Sequence, residues 1–360
     1  MKKKVCFITS SPPEYLGGLS IFHKNLLNYL KNKNFHITWA YFGNKNRTYH
    51  KDKINYIEIK KSKFQIKGVE NKKGITRFLN ENYFDVVFCT GGLWTWFYFK
   101  PPSQKLIHVF HGTVYYFNKN HLKRFGLFKK ILFYPILFLS KLSEQPHYDR
   151  DEIICVSNKV KKQIKNLYNE YEIKVIRTGV DLNEFKLRKI KTKNLYGLYI
   201  GGGGEYTKGL DRAIELSKEI YKLNTDYRLI IIGPDETKVR HLIDEEFIIF
   251  LEDVLRDDMK YYYNICDFFL CLSRYEGGAP TLTTSEAMAS GKMIVCSKDS
   301  KQEIIKNDVN GLIINSFGKA SAKKILNNLK NKKLIKNSLN TIKELSIENW
   351  AEKFLKIIQK

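Results

Sequence analysis

The sequence predicts an α/β protein built from two consecutive domains, each an open, mostly parallel sheet flanked by helices. Three observations carry that prediction. Short apolar runs alternate with helical patterns from one end of the chain to the other. The runs fall into two series separated by a charged, aperiodic stretch. At 360 residues the chain also exceeds what one hydrophobic core usually fills.

The first series is VCFIT (5–9), HITWAYF (36–42), INYIEI (54–59), DVVFCT (85–90), LIHVF (106–110) and EIICVS (152–157). These runs are nearly continuous, as strands covered on both faces require. The second series is LYGLYIG (195–201), YRLIIIG (227–233), FIIFL (247–251), DFFLCLS (267–273) and MIVCS (293–297). Between them lies TGVDLNEFKLRKIKTKN (178–194), so the expected Rossmann-like domains are 1–182 and 183–345.

Apolar residues form 43% of the chain, enough for two cores. Cys6, Cys89, Cys155, Cys266, Cys271 and Cys296 lie mostly inside strand-like runs without metal-ligand spacing. They predict reduced, buried thiols and a reducing compartment, the cytoplasm. The opening MKKKVCFITSS reads as the first strand, because its apolar run is too short for the core of a signal peptide. No stretch is long and apolar enough to predict a transmembrane helix. The net charge of +25 calls for an anionic partner: nucleic acid, acidic membrane or a phosphate-bearing substrate. A lysine-rich composition, in which Ile, Asn, Tyr and Phe are also frequent, accounts for it equally.

In open α/β sheets, ligands bind beyond the carboxyl ends of strands. Four loops in that position carry chemistry. Gly17 and Gly18 open a helix after the first strand, and His111-Gly112-Thr113 follows LIHVF. Gly201 to Gly204 precede EYTKGLDRAIEL, with Lys208 in a first helical turn, and SRYEGGAPTLTTSEAMASG supplies Arg274, Glu276 and Glu286. Glycines there allow close backbone approach and leave helix amides for an anion. Taken singly, each has a bland reading: a loop glycine pair, a tight turn, a core histidine, carboxylates that complement a helix dipole.

In this order, and at these strand ends, the motifs resemble glycosyltransferase family 4, retaining enzymes of the GT-B fold in which two Rossmann-like domains face a central cleft. The resemblance covers nearly the whole chain: PPEYLGGLS, the HG after a strand, IICVSNKVKKQI, IRTGVDLNEF, TKGLDRAIEL, IIIGPDE, YYYNICDFFLCLSRYEGG, SEAMASGKMIVCS, QEIIKNDVNGLII and NWAEKFLKII. It implies a hexosyltransferase that moves a sugar from a nucleotide-sugar donor to a glycan or lipid-linked acceptor. The first domain would lie on the acceptor side, the second would bind the donor, and the helix in 346–360 would pack back toward the first. Neither a cofactor nor a metal is implied.

The candidate catalytic residues are His111, Lys208 and Glu276. By resemblance Glu286 accepts hydrogen bonds from the ribose hydroxyls, while Glu276 and the amides of Gly277, Gly278 and Ala279 hold the transferred sugar. Lys208 and the glycine-loop helix ends at Gly17, Gly18, Gly203 and Gly204 stabilise the leaving phosphate, and His111 lines the sugar pocket. Two departures stand out. Nine residues separate Glu276 from Glu286, a longer gap than the family's. Gly203 also replaces the arginine expected ahead of the lysine, leaving glycine amides, the helix dipole or Arg274 to compensate.

The segment HLKRFGLFKKILFYPILFLSKL (121–142) mixes Lys123, Arg124, Lys129 and Lys130 with Phe125, Leu127, Phe128, Leu132 and Phe133, and Pro135 interrupts any single straight helix. It reads either as a helix packed on the sheet or as a contact for anionic lipid at the inner face of the cell membrane. Two rival functions remain: a catalytically silent sugar-binding relative, or a basic nucleic-acid- or surface-binding protein on the same scaffold. No nucleic-acid module is recognisable, so no nucleic acid is expected.

Overall fold

The computed structural model describes residues 2–9, 12–15, 17–60, 72–90, 104–126, 131–144, 151–168, 172–188, 190, 192–201, 205–233 and 239–360. The chain divides into two compact units, Met1–Arg177 with Trp350–Lys360, and Thr178–Asn349. The first crossing falls ahead of residue 182 because Val180 already belongs to the second unit. Its N–H donates to the Leu345 carbonyl and its carbonyl accepts from Ile347 N, both at 2.9 Å.

The first unit contains β1 (Lys3–Thr9), α1 (Gly18–Leu30), β2 (Phe35–Gly43), β3 (Arg47–Lys51), β4 (Ile54–Lys60), α2 (Lys72–Glu81), β5 (Val86–Thr90), β6 (Lys105–Phe110), α3 (Val114–His121), α4 (Tyr134–Glu144), β7 (Glu152–Cys155), α5 (Asn158–Tyr168) and β8 (Ile173–Val175). Its sheet runs β3-β4-β2-β1-β5-β6-β7-β8. All pairings are parallel except β3 against β4. The six expected strands are all present. β3 was not legible because RTYHK has no apolar run, and β8 is only three residues long.

The second unit contains β9 (Leu195–Ile200), α6 (Glu205–Lys208), α7 (Leu210–Leu223), β10 (Tyr227–Gly233), β11 (Ile248–Glu252), α8 (Met259–Ile265), β12 (Phe268–Cys271), α9 (Leu282–Ala289), β13 (Met293–Ser297), β14 (Leu312–Ile314), α10 (Lys319–Asn328) and α11 (Lys332–Lys343). The sheet is parallel throughout, in the order β11-β10-β9-β12-β13-β14. The chain winds outward in opposite directions from β1 and from β9. Loops leaving these strands therefore open into the crevices where such sheets bind ligands.

The final helix α12 (Ile347–Gln359) starts in the second unit and ends in the first. Its Trp350 and Phe354 are buried, with ring centroids 4.8 Å from Phe22 and 5.9 Å from Phe88 respectively. Lys3 donates to the carbonyls of Ile358 and Gln359, both at 3.0 Å, and Lys105 to that of Ile357 at 3.3 Å. Two ammonium groups thus satisfy the orphan carbonyls at the helix C-terminus.

All six cysteines are free and buried. α1 buries Ser20, Phe22, His23, Leu26, Leu27 and Leu30, the one-sided spacing of an amphipathic helix, and so places an imidazole in the core. Leu19 O can only accept, so His23 Nδ1 carries the proton that reaches it at 2.7 Å, and Nε2 accepts from Thr90 Oγ1 at 3.0 Å. Burial, then the nearby His111, pushes the ring from 6.5 down to about 3. The folded protein holds His23 neutral, while the unfolded chain protonates as pH drops through 6.5. This contribution is fully present above that value and is lost on acidification, by at most about 1.4 kcal/mol per pH unit. Urea titrations from about pH 7 to 4 should show a falling midpoint, with a shallower fall in His23→Gln.

Candidate active site

Lys208 follows β9 and Glu276 follows β12, and these strands are hydrogen-bonded neighbours, pairing Phe268 with Gly197 through Leu270 with Tyr199. The two side chains therefore emerge at the same end of adjacent parallel strands. Between α6 and α7 sits Gly209, at φ +75°, where a Cβ would lie 2.3 Å from the Leu272 carbonyl oxygen. No side chain fits in that contact, so the start of α7 rests directly on the end of β12. Arg212 NH1 donates to the same carbonyl at 3.2 Å and NH2 to Asp299 at 2.8 Å, while Arg274 N donates to Thr207 O at 2.9 Å. With both loops stitched together, Lys208 Nζ lies 2.9 Å from Glu276 Oε1. Burial alone would lower the pKa of Lys208, but the charge and hydrogen bond of Glu276 outweigh it and hold the amine above its usual range. A permanently charged ammonium thus stands at the switch point of the sheet.

Arg274 turns elsewhere. Its guanidinium grips Asp211 with both nitrogens, at 2.8 and 2.5 Å, donates to Tyr206 O at 2.6 Å and stacks on the Tyr206 ring at 3.9 Å. Gly277, Gly278 and Ala279 follow Glu276 in a loop in which Gly278 adopts φ +85° and its carbonyl accepts from Glu303 N at 2.8 Å. The long stretch between the glutamates is pinned by Gln302, fully buried, whose side-chain oxygen accepts from Thr281 N at 3.2 Å and whose amide nitrogen donates to Thr284 Oγ1 at 2.8 Å. Thr281 Oγ1 in turn accepts from Thr284 N at 3.2 Å and caps α9.

Glu286, on α9, is 1% exposed, and burial raises its pKa against the opposing pull of Arg256 and Tyr263. Tyr263 donates its hydroxyl to Oε2 at 2.8 Å, and Arg256 forms an ion pair with Oε1 at 2.6 Å. Each glutamate of the motif therefore has its own cation. Neither Arg256 nor Gln302 was singled out from the sequence, because Arg256 sits in a polar loop 30 residues before Glu286 and nothing in its spacing marks it.

In the first unit, Gly17 caps α1 and Gly18 is its first residue. His111 leaves β6 and meets Phe22 of α1 edge-on, at 4.4 Å between centroids. Burial pushes this imidazole down to about 4, and its Nε2 is buried without a hydrogen-bond partner among the described residues. A neutral ring of this kind can orient a hydroxyl. Gly203 and Gly204 lie outside the described residues, as do Leu127, Phe128, Lys129 and Lys130. Among the described residues, no group of three or more His, Cys, Asp or Glu could hold a metal, and no helix is long and apolar enough to cross a membrane.

Residues 16–184 match the family described as Glycosyltransferase Family 4, and residues 181–344 match Glycosyl transferases group 1. The chain is 27% identical over 200 residues to the glycosyltransferase YtcC of Bacillus subtilis, covering 47% of this chain and 49% of that one. It is 25% identical over 167 residues to the alpha-monoglucosyldiacylglycerol synthase of Streptococcus pneumoniae, covering 41% of this chain and 37% of that one. The chain thus spans about half or less of the length of these two curated relatives. Sucrose-phosphate synthase from Thermosynechococcus elongatus shares the fold with a TM-score of 0.79 at 14% identity, over 99% of this chain and 98% of that one.

The contact at Gly209 sets an expectation for stability. Gly209→Ala combines a left-handed φ with a backbone clash, and should destabilise the second unit by about 1–3 kcal/mol or more in denaturant melts. Gly318→Ala, where nothing lies within 4 Å of the added Cβ, is the control.

Proposed function

The chain belongs to the group 1 glycosyltransferases with a family 4 N-terminal half, and from that premise we propose that it transfers a sugar from a nucleotide-sugar donor with retention of configuration. The observation that carries this reading is the Lys208–Glu276 pair at the switch point of the second sheet. A donor diphosphate arriving there competes for the Lys208 ammonium. Glu276, relieved of its partner, can then accept hydroxyls of the transferred sugar beside the amides of Gly277, Gly278 and Ala279. Glu286 takes the ribose. In the first unit, His111 offers its neutral Nε2 to a substrate hydroxyl.

The bond from the anomeric carbon to phosphate breaks with oxocarbenium character, and negative charge grows on the leaving phosphate oxygen. Lys208 meets that charge, so catalysis is electrostatic and positional. The acceptor oxygen bonds to the anomeric carbon on the face the phosphate vacates, and its proton passes to the phosphate, so no dedicated general base is needed. This balance calls for neither metal nor cofactor. Release of nucleotide from a panel of UDP-, GDP- and ADP-sugars tests the reading. Salt-sensitive oligonucleotide binding without turnover would favour the nucleic-acid alternative, and donor binding without turnover the silent relative. Glu286→Ala should weaken donor binding by about 1.5–3 kcal/mol through loss of charge-assisted hydrogen bonds. Lys208→Ala should instead lower kcat by about a hundredfold, because phosphate charge is greatest in the transition state.

The acceptor is proposed to be lipid-linked, with the protein contacting an anionic membrane at the inner face of the cell membrane. α4 and the residues just before it support this: Tyr134 is 72% exposed and Phe138 60%, Ile136 and Leu139 are exposed as well, as are Ile131 and Leu132 ahead of the helix, and among the helix's described side chains only Leu137 and Ser140 are buried. Pro135 sits in the first turn, where its missing N–H costs nothing. Lys123 and Lys141, one on either side of this stretch in sequence, are exposed as well. The name of the Streptococcus relative likewise describes a glycolipid synthase. The protein should sediment with vesicles containing acidic lipid and be only partly released by high salt, and Phe138→Asp with Leu139→Asp should reduce binding. Indifference to such vesicles at low salt would rule the lipid surface out.

A further inference from the structure

Glu286 has lost almost all its water, and burial opposes its ionisation. Among the described residues, the Tyr263 hydroxyl and the Arg256 guanidinium meet its carboxylate. Among the described residues only Arg256 brings it an opposite charge, so it is the group that makes a buried carboxylate tolerable. Arg256 is itself held in place. It lies over the Phe185 ring at 4.6 Å and 3.8 Å from a carboxylate oxygen of Glu184. The turn carrying both residues is fixed by Asp181, whose Oδ1 accepts from Asn183 N at 2.8 Å and Glu184 N at 3.0 Å. The guanidinium thus has an aromatic platform, a second carboxylate and one edge on Glu286. The charged and titratable groups facing Glu286 are Arg256, Tyr263 and Glu184, and Asp181, Asp257 and Lys260 act on Glu184.

We propose that Arg256 is a positioning residue of the donor site, keeping Glu286 ionised and aiming its carboxylate so that it can accept the vicinal hydroxyls of a ribose. The proposal rests on the donor reading above. A protonated acid loses its charge and one acceptor position, so it would hold a diol less well. Because Arg256 acts through Glu286, its loss should appear as a dependence of nucleotide affinity on pH, which a merely structural residue would not produce.

The probe is whichever of UDP, GDP and ADP binds the wild type most tightly, titrated calorimetrically between about pH 5.5 and 8. Wild-type affinity should be nearly flat over that range. In Arg256→Gln, affinity should fall on acidification, about tenfold for a carboxyl pKa moved up by one unit into the range. Arg256→Lys should restore the flat profile. Glu286→Gln should be weak at every pH, and the double variant no weaker, since Arg256 then has nothing to position. If Arg256→Gln does not fold, Arg256→Met is read in the same way. An Arg256 variant whose profile runs parallel to wild type, while Glu286→Gln is weak, overturns this inference and leaves the donor reading standing. Unchanged affinity in Glu286→Gln, or no binding of any of the three nucleotides, overturns both.

Discussion

The Lys208–Glu276 ion pair depends on one constraint, the contact between Gly209 and the Leu272 carbonyl that holds the first turn of α7 on the end of β12. Parallel neighbours β9 and β12 deliver the two loops to the same edge of the sheet, but delivery alone leaves many arrangements of two flexible side chains. The glycine contact, the Arg212 bonds to Leu272 O and Asp299, and the Arg274 backbone bond to Thr207 reduce them. Side chains on anchored loops lose little further entropy when a ligand arrives.

The same region pairs its carboxylates with cations, whether buried as Glu286 is or exposed as Asp211 is. Each of Glu276, Glu286 and Asp211 faces a cation: Lys208, Arg256 and Arg274. These cations differ in use. Arg274, clamped by Asp211 and stacked on Tyr206, braces the Lys208 turn against the Glu276 loop. Lys208 has one carboxylate partner among the described residues, Glu276, which holds its ammonium above the ordinary pKa.

In the first unit the chemistry is that of neutral histidines. His23 is buried with both nitrogens bonded, whereas His111 keeps a buried Nε2 without a partner among the described residues. Both imidazoles meet the ring of Phe22 on α1, to which His23 itself belongs, and that ring also packs against Trp350 and Phe354 of α12. The last helix thus supports the loop that carries His111, which gives a residue near the C-terminus a bearing on a site formed by β6.

By itself the sequence determined the strands, because continuous apolar runs of strand length between helical patterns have few other uses, and 11 of the runs became strands of two parallel sheets. It also singled out Lys208, Glu276, Glu286 and His111, because each lies in a loop or helix that follows a strand and matches a motif of the resembled family. Polar or very short strands stayed hidden: β3 has no apolar run and is held by ladder bonds to β4, and β14, though apolar, is only three residues long. Tertiary structure alone decided the partners. Arg256 reaches Glu286 across 30 positions of sequence, Gln302 reaches back to Thr281 and Thr284, and Arg274 turns to Asp211 in place of open solvent. Periodicity records which residues leave water. Which charge they meet there depends on side-chain contacts between segments distant in sequence, and no local pattern encodes that.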